Sequence, residues 1–347
     1  MSIKKTEFKI ELILLVCFLF LFVQAIPEAT QKQDEPGNQM MVVEYVSGNN
    51  ILLAREAGVF IATPTPVPTP VLTALPTPTY APEPEESIRV ADIIGKKYIL
   101  EDLQDITYLK ENFYIVNAST KMTKEEFDAE YFISKDLSLP KQPDSPQILI
   151  FHTHASEGFA DSRGGESADT VVGAGNLLTK ILQEKYGYNV LHDTTVFDRK
   201  NGKDNRNYAY NDALVHLKKL LEENPTIEVI IDLHRDAGAK RVTTINGKQT
   251  AKVMLFNGIC RNINGKQVHL PNENLQDNLA FSFQMKLIGD EMYPGLMNRI
   301  FLKDYRYNMH LAERFLLIEL GTEKNTVEEA MNAMEPLADV LHQVLGG

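Results

Sequence analysis

The segment Ile148-Leu149-Ile150-Phe151-His152-Thr153-His154-Ala155-Ser156-Glu157 decides how this chain is read. Its first four residues are an unbroken apolar run, the pattern of a strand covered on both faces in a parallel sheet. Its last six bring two histidines and a carboxylate to the carboxyl end of that strand, where ligands bind in open α/β sheets. Alternate strand residues share a face, so His152 and His154 are expected on one side and Thr153 on the other. Glu157 can turn back over the strand end.

Downstream, the periodicity keeps alternating between helix and strand. Val172, Leu177, Leu178, Ile181 and Leu182 have helical spacing over about 170–185, and Tyr188 to Leu191 reads as a strand. Tyr210 to Leu221 is helical and leaves at Asn224-Pro225. Ile227 to Leu233 is another buried strand. Asn246-Gly247 between β-branched runs signals a hairpin, which Lys252 to Phe256 continues. A helix over roughly 274–291, a strand from Phe315 to Glu319 and a final helix from about Thr326 to Leu345 follow. The expected fold is α/β, three-layered, with a mainly parallel sheet and helices on both faces.

Composition excludes several classes. The 347 residues carry 35 Lys+Arg against 47 Asp+Glu, a net charge of −12, which disfavours a nucleic-acid protein. Hydrophobic residues at 44% and charged residues at 24% are globular values. Cys17 and Cys260 are the only cysteines, so any metal must be held by His and carboxylates. No HExxH helix, GxSxG elbow, P-loop or GxGxxG is present.

Four regions are expected. Residues 1–26 form a membrane anchor or signal segment, with Lys4, Lys5 and Lys9 before an apolar run from Leu12 to Val23. Residues 27–86 form an extracytoplasmic linker whose Pro/Thr-rich part, 61–86, holds 8 of the 17 prolines and suits an extended spacer. Residues 87–144 are an N-terminal extension with a short strand signal at Tyr114-Ile115-Val116, and 145–347 the catalytic domain.

Three strand ends carry chemistry. Zinc takes His nitrogen and carboxylate oxygen at about 2.0–2.2 Å, and a catalytic site uses three protein ligands. A His/His/Glu set drawn from His152, His154 and Glu157 meets that need, with His234 the natural partner from another strand. Asp232 or Asp236 would fix the His234 imidazole, and Arg235 would clamp a substrate carboxylate or carbonyl. Glu319, amid Leu316-Leu317-Ile318 and Leu320, is expected to have a raised pKa and to act as general base, unless Arg299 or Arg306 pairs with it. His310 is a candidate pocket residue. His192, His216, His269 and His342 are expected to pack or lie at the surface.

The segments Leu149–Glu157, Val229–Asp236, Thr244–Lys248, Tyr305–Asn308 and Leu317–Gly321 together resemble the stage II sporulation protein P family, over about 145–345. The resemblance implies an amidase-like fold and a variant zinc-dependent N-acetylmuramoyl-L-alanine amidase. Such an enzyme hydrolyses the amide between N-acetylmuramic acid and the L-alanine of the stem peptide, and family members are also credited with cutting cross-links. Zn2+ is the implied cofactor and peptidoglycan the substrate. Sporulation proteins D and M are the implied partners, during engulfment in the space between mother-cell and forespore membranes. A retained single-pass anchor in the cell membrane follows. By position, His154 and His234 fit the amidase zinc histidines and Glu319 the catalytic glutamate. The amidase glutamate ligand comes at the start of the following helix, where this chain has Glu166 and Asp169; Glu157 lies in the better-matched segment and is preferred, with His152 an alternative. A zinc peptidase of the stem peptide and an inactive wall-binding adaptor are the alternatives.

Overall fold

The computed structural model describes residues 89–346, apart from 95, 96, 143 and 269. The expected anchor, the linker and His269 lie outside the described residues. Among those described, no helix is long and apolar enough to cross a membrane.

Eleven strands follow in chain order: β1 Tyr114–Val116, β2 Ile148–Phe151, β3 Val190–His192, β4 Arg199–Lys200, β5 Lys203–Asp204, β6 Val229–Asp236, β7 Val242–Ile245, β8 Lys248–Ala251, β9 Val253–Gly258, β10 Ile300–Lys303 and β11 Arg314–Thr322. Seven of them form one sheet in the order β1-β10-β9-β11-β6-β2-β3. The pairings on either side of β11/β9 are all parallel, and only β11 against β9 is antiparallel. The sheet is therefore mainly parallel, as its apolar strand runs predict.

Period-2 alternation sorts the strand side chains into two cores. Ile148 and Ile150 of β2, Val229, Ile231 and Leu233 of β6, and Leu316, Ile318 and Leu320 of β11 face one layer. That layer contains Leu178 and Leu182 of the helix Val171–Glu184, Leu279 and Phe283 of Leu275–Met292, and Leu337 and Leu341 of Met334–Val344. Leu149, Phe151, Ile230 and Phe315 face the opposite layer, against Ala209, Ala213 and Leu217 of the helix Ala209–Glu223. Helices thus cover both faces.

The N-terminal segment is built into the same body. β1 adds an edge strand beside β10, and Leu103, Leu109, Phe113, Phe127 and Phe132 belong to the larger core. Phe113 and Phe283 stack at 5.2 Å.

Local differences from the sequence reading have physical causes. The expected single C-terminal helix is two, Val327–Asn332 and Met334–Val344. Pro336 has no N–H to give the Asn332 carbonyl, so the helix is interrupted one turn before it. β10 was not anticipated: its four residues carry too short a pattern to stand out. A second Asn-Gly turn, Asn201-Gly202, joins β4 to β5, both residues having left-handed φ of 51° and 75°.

Candidate active site

The alternation that fills the smaller core also builds the site. Beyond Ile230 on the same face of β6 come Asp232 and His234, and beyond Phe315 on β11 come Leu317 and Glu319. Parallel register sets Leu317 opposite Asp232 and Glu319 opposite His234. The polar end of each strand therefore continues a face whose beginning is apolar. Of these, His234, Leu317 and Glu319 line a cleft of about 240 Å³ together with His154, Glu157, Arg206, Tyr210, Arg235, Asp236, Phe256, Lys303 and Tyr307. A larger hollow of about 820 Å³, lined by Ser156, Glu166, Asn176 and Arg199 among others, contains none of the three strand-end groups.

His154 enters the cleft because β2 ends at Phe151 and the chain turns, the Glu157 N–H donating to the His154 carbonyl at 3.1 Å. The His154 and His234 rings stand 5.3 Å apart, edge to face. Tyr210 lies nearly parallel to His234, with centroids 6.4 Å apart and planes at 15°, and meets His154 edge-on at 5.6 Å. Tyr210 therefore fixes the planes of both imidazoles.

The turn also corrects the expectation that His152 and His154 share a side. His152 points into the opposite layer, its Nδ1 2.7 Å from the Leu233 carbonyl oxygen and its Nε2 2.8 Å from Nε2 of His192. It packs against Gly175 of Val171–Glu184, where a Cβ would come within 2.9 Å of the ring. His152 is not in the cleft, and His192 has a convergent neighbour that the sequence did not reveal.

Asp232 is the hub beneath the site. Fully buried, it accepts from the Thr153 N–H at 2.8 Å and the Thr153 hydroxyl at 2.6 Å, and its Oδ1 stands 2.7 Å from Nε2 of His234. On the other side of the ring, Nδ1 of His234 faces Glu157 Oε2 at 3.4 Å. Burial works against a charged His234, but Asp232 and Glu157 outweigh it and hold its pKa well above the ordinary value. Glu157 is buried too, which alone would raise its pKa; His234 and the Arg235 N–H draw it down to about 2. His154 goes the other way: burial and the His234 charge lower it to about 4. His154 is thus a neutral imidazole at pH 7, and its buried Nδ1 has no hydrogen-bond partner.

Glu319 is pushed up to about 7 by burial, reinforced by the charges of Glu157, Asp236 and Asp232 and opposed by His234. Its Oε2 is buried without a partner. Arg299 instead donates to the carbonyls of Lys110 and Glu111, and Arg306 to that of Pro271, so neither neutralises Glu319.

The remaining candidates have other partners. Arg235 donates its backbone N–H to Glu157 at 3.0 Å and its Nε to the Gly158 carbonyl at 3.0 Å, so it braces the ligand loop. Asp236 pairs with Arg241 at 2.6 Å. Asp169 is gripped by two guanidinium nitrogens of Arg163, at 2.6 and 2.8 Å, and neither it nor Glu166 lines the cleft. His310 is half-buried in a turn at Met309–Leu311 whose carbonyl receives Asn274 Nδ2, again outside the cleft lining.

Sequence reasoning passed over Arg206, Tyr210 and Tyr307 in the cleft. Tyr307 and Asn308 both have left-handed φ, 48° and 60°, and Asn308 Nδ2 donates to the Tyr210 carbonyl at 2.9 Å. Backbone strain in two successive non-glycine residues is a mark of functional loops. The family resemblance of Tyr305–Asn308 is the only signal the sequence carries for this loop.

The donor types suit zinc: a neutral histidine with an unpartnered nitrogen, a carboxylate, and a histidine oriented by a carboxylate behind it. Among the described residues, however, no group of three or more His, Cys, Asp or Glu side chains is arranged closely enough to hold an ion.

Solved structures with a similar outline include the N-acetylmuramoyl-L-alanine amidase AmiC2 of Nostoc punctiforme, at 11% identity over 59% of this chain and 97% of that one, with a TM-score of 0.35. Another is the CwlD amidase from Clostridioides difficile in complex with the GerS lipoprotein, at 15% identity over 57% and 94% of the two chains, with a TM-score of 0.32. In sequence, Stage II sporulation protein P of Bacillus subtilis (strain 168) is 30% identical over 224 residues, 59% of this chain. The match spans about half that relative's length, 53%. The family model for Stage II sporulation protein P matches residues 84–342, most of the chain. This chain belongs to the stage II sporulation protein P family.

Proposed function

We propose that this protein is a zinc-dependent N-acetylmuramoyl-L-alanine amidase that remodels peptidoglycan during sporulation. The observation that carries the reading is Glu319: half-buried, opposite His234 in register, its Oε2 without a partner and its pKa pushed up to about 7. An acid of that pKa is half-ionised at neutral pH and can both accept and return a proton.

His154, Glu157 and His234 would hold the ion. Bound there, zinc supplies a Lewis acid that makes water a better nucleophile and favours negative charge on the substrate carbonyl oxygen. Glu319 takes the proton of the attacking water and returns it to the departing alanine nitrogen. Asp232 lies against Nε2 of His234 and would orient the ring with Nδ1 toward Glu157. Tyr210, Tyr307, Phe256 and Leu317 wall the cleft and limit the water that reaches it.

The test is mass spectrometry of muropeptides after digestion of purified sacculi with added zinc. Stem peptides beginning with L-alanine, absent with Glu319→Gln, support the amidase. Shortened stems still attached to muramic acid favour a peptidase instead, and no digestion by the native chain favours an adaptor.

Location and partners belong to the same proposal. The apolar run Leu12–Val23 and the 61–86 spacer would tether the domain in the cell membrane with its cleft outside the cytoplasm. Family membership supports action beside sporulation proteins D and M.

A further inference from the structure

Glu157 has a side chain only 3% exposed, yet both of its oxygens are taken by this chain's own donors. Oε2 receives the backbone N–H of Arg235, which is fixed in β6. Oε1 is paired with the Arg206 guanidinium, and Arg235 Nη1 stands farther off, at 3.9 Å. The two donors differ in how easily they can leave. Arg235 N–H is part of the sheet, whereas Arg206 is 42% exposed, on a long flexible stem. It belongs to the turn Arg206–Tyr208, which follows the exposed β4–β5 hairpin.

A guanidinium on a carboxylate oxygen and a divalent cation beside it repel each other at close range, where the local dielectric is low. The same oxygen lone pairs serve either partner. We propose that Arg206 is a stand-in cation: in the metal-free chain it occupies Glu157 Oε1, and it must withdraw for zinc to engage that carboxylate. Arg206 therefore weakens zinc binding and couples loading to loosening of residues 199–208. This inference rests on His154, Glu157 and His234 being the metal site.

The rival role, in which Arg206 positions Glu157 for the metal, predicts the opposite sign. The experiment is a zinc competition titration against a chromophoric chelator, with the native chain, Arg206→Gln and Arg206→Lys. Hydrogen exchange of residues 199–208 is followed with and without zinc. We expect Arg206→Gln to bind zinc about tenfold more tightly, Arg206→Lys to stay near the native affinity, and zinc to speed exchange in 199–208 of the native chain. Equal or weaker binding by Arg206→Gln, or exchange slowed by zinc, overturns the proposal. Should Arg206→Gln fail to fold, the exchange arm on the native chain still decides. If the native chain binds no zinc, the metal reading falls and this inference with it; if the native chain binds zinc and Arg206→Gln binds no tighter, only this inference falls.

Discussion

Glu319 on β11 and His234 on β6 are register partners in a parallel pair, facing the same cleft, one carboxyl without a partner and one imidazole held by Asp232. The geometry puts an acid whose pKa has been raised beside a base whose pKa has also been raised, each for a different reason. Burial disfavours the Glu319 charge, while neighbouring carboxylates favour the His234 charge.

Glu319 makes metal-free stability depend on pH. Its folded pKa of about 7 exceeds the ordinary 4.5, so between those values the folded state holds a proton that the unfolded state has released. Stability falls as pH rises through this window, reaching a penalty on the order of 3 kcal/mol above pH 7. Glu319→Gln should therefore raise the urea midpoint of the chelator-treated protein at pH 8 and leave it unchanged at pH 4. Equal shifts at both values would show that the carboxyl is not ionising against burial.

Removing either histidine should remove the metal. His154→Ala and His234→Ala are each expected to lower bound zinc from one per chain to none, read by elemental analysis after gel filtration. His152→Ala, which lies in the other layer beside His192, should retain zinc while losing stability. Loss of zinc from His152→Ala would move the site.

Asp232→Asn keeps the shape but not the charge. It places an amide opposite the Thr153 N–H and strips His234 of its strongest neighbour. Breaking this buried set should cost roughly 2–4 kcal/mol in urea unfolding and weaken zinc about 10- to 100-fold. A near-neutral effect on both would remove Asp232 from the supporting role.

Gly258→Ala tests the cleft wall. A Cβ at 258 would lie 1.9 Å from the Tyr305 carbonyl oxygen and 2.8 Å from Tyr307, so the loop must shift. A loss of roughly 1–3 kcal/mol is expected, with a rise in KM from the displaced Tyr307. Unchanged thermal unfolding would show that the loop yields freely.

Much of the fold and half of the cleft were readable from residues alone. The apolar runs at 148–151, 229–231 and 315–318 identified the central strands, because strands covered on both faces are mostly apolar. Period-2 alternation from Ile230 to His234 and from Phe315 to Glu319 put those polar groups on one face, and register did the rest. The same alternation failed at His154, since β2 had already ended and a turn reversed its direction.

What the chain determined by itself was the central strands and the chemistry at their ends, because both depend on side-chain type at short, regular spacing. Tertiary structure alone decided which distant groups meet there. Arg206 reaches Glu157, Tyr210 stacks on His234 and β9 runs against β11, since those outcomes depend on loop paths and packing between residues far apart in sequence.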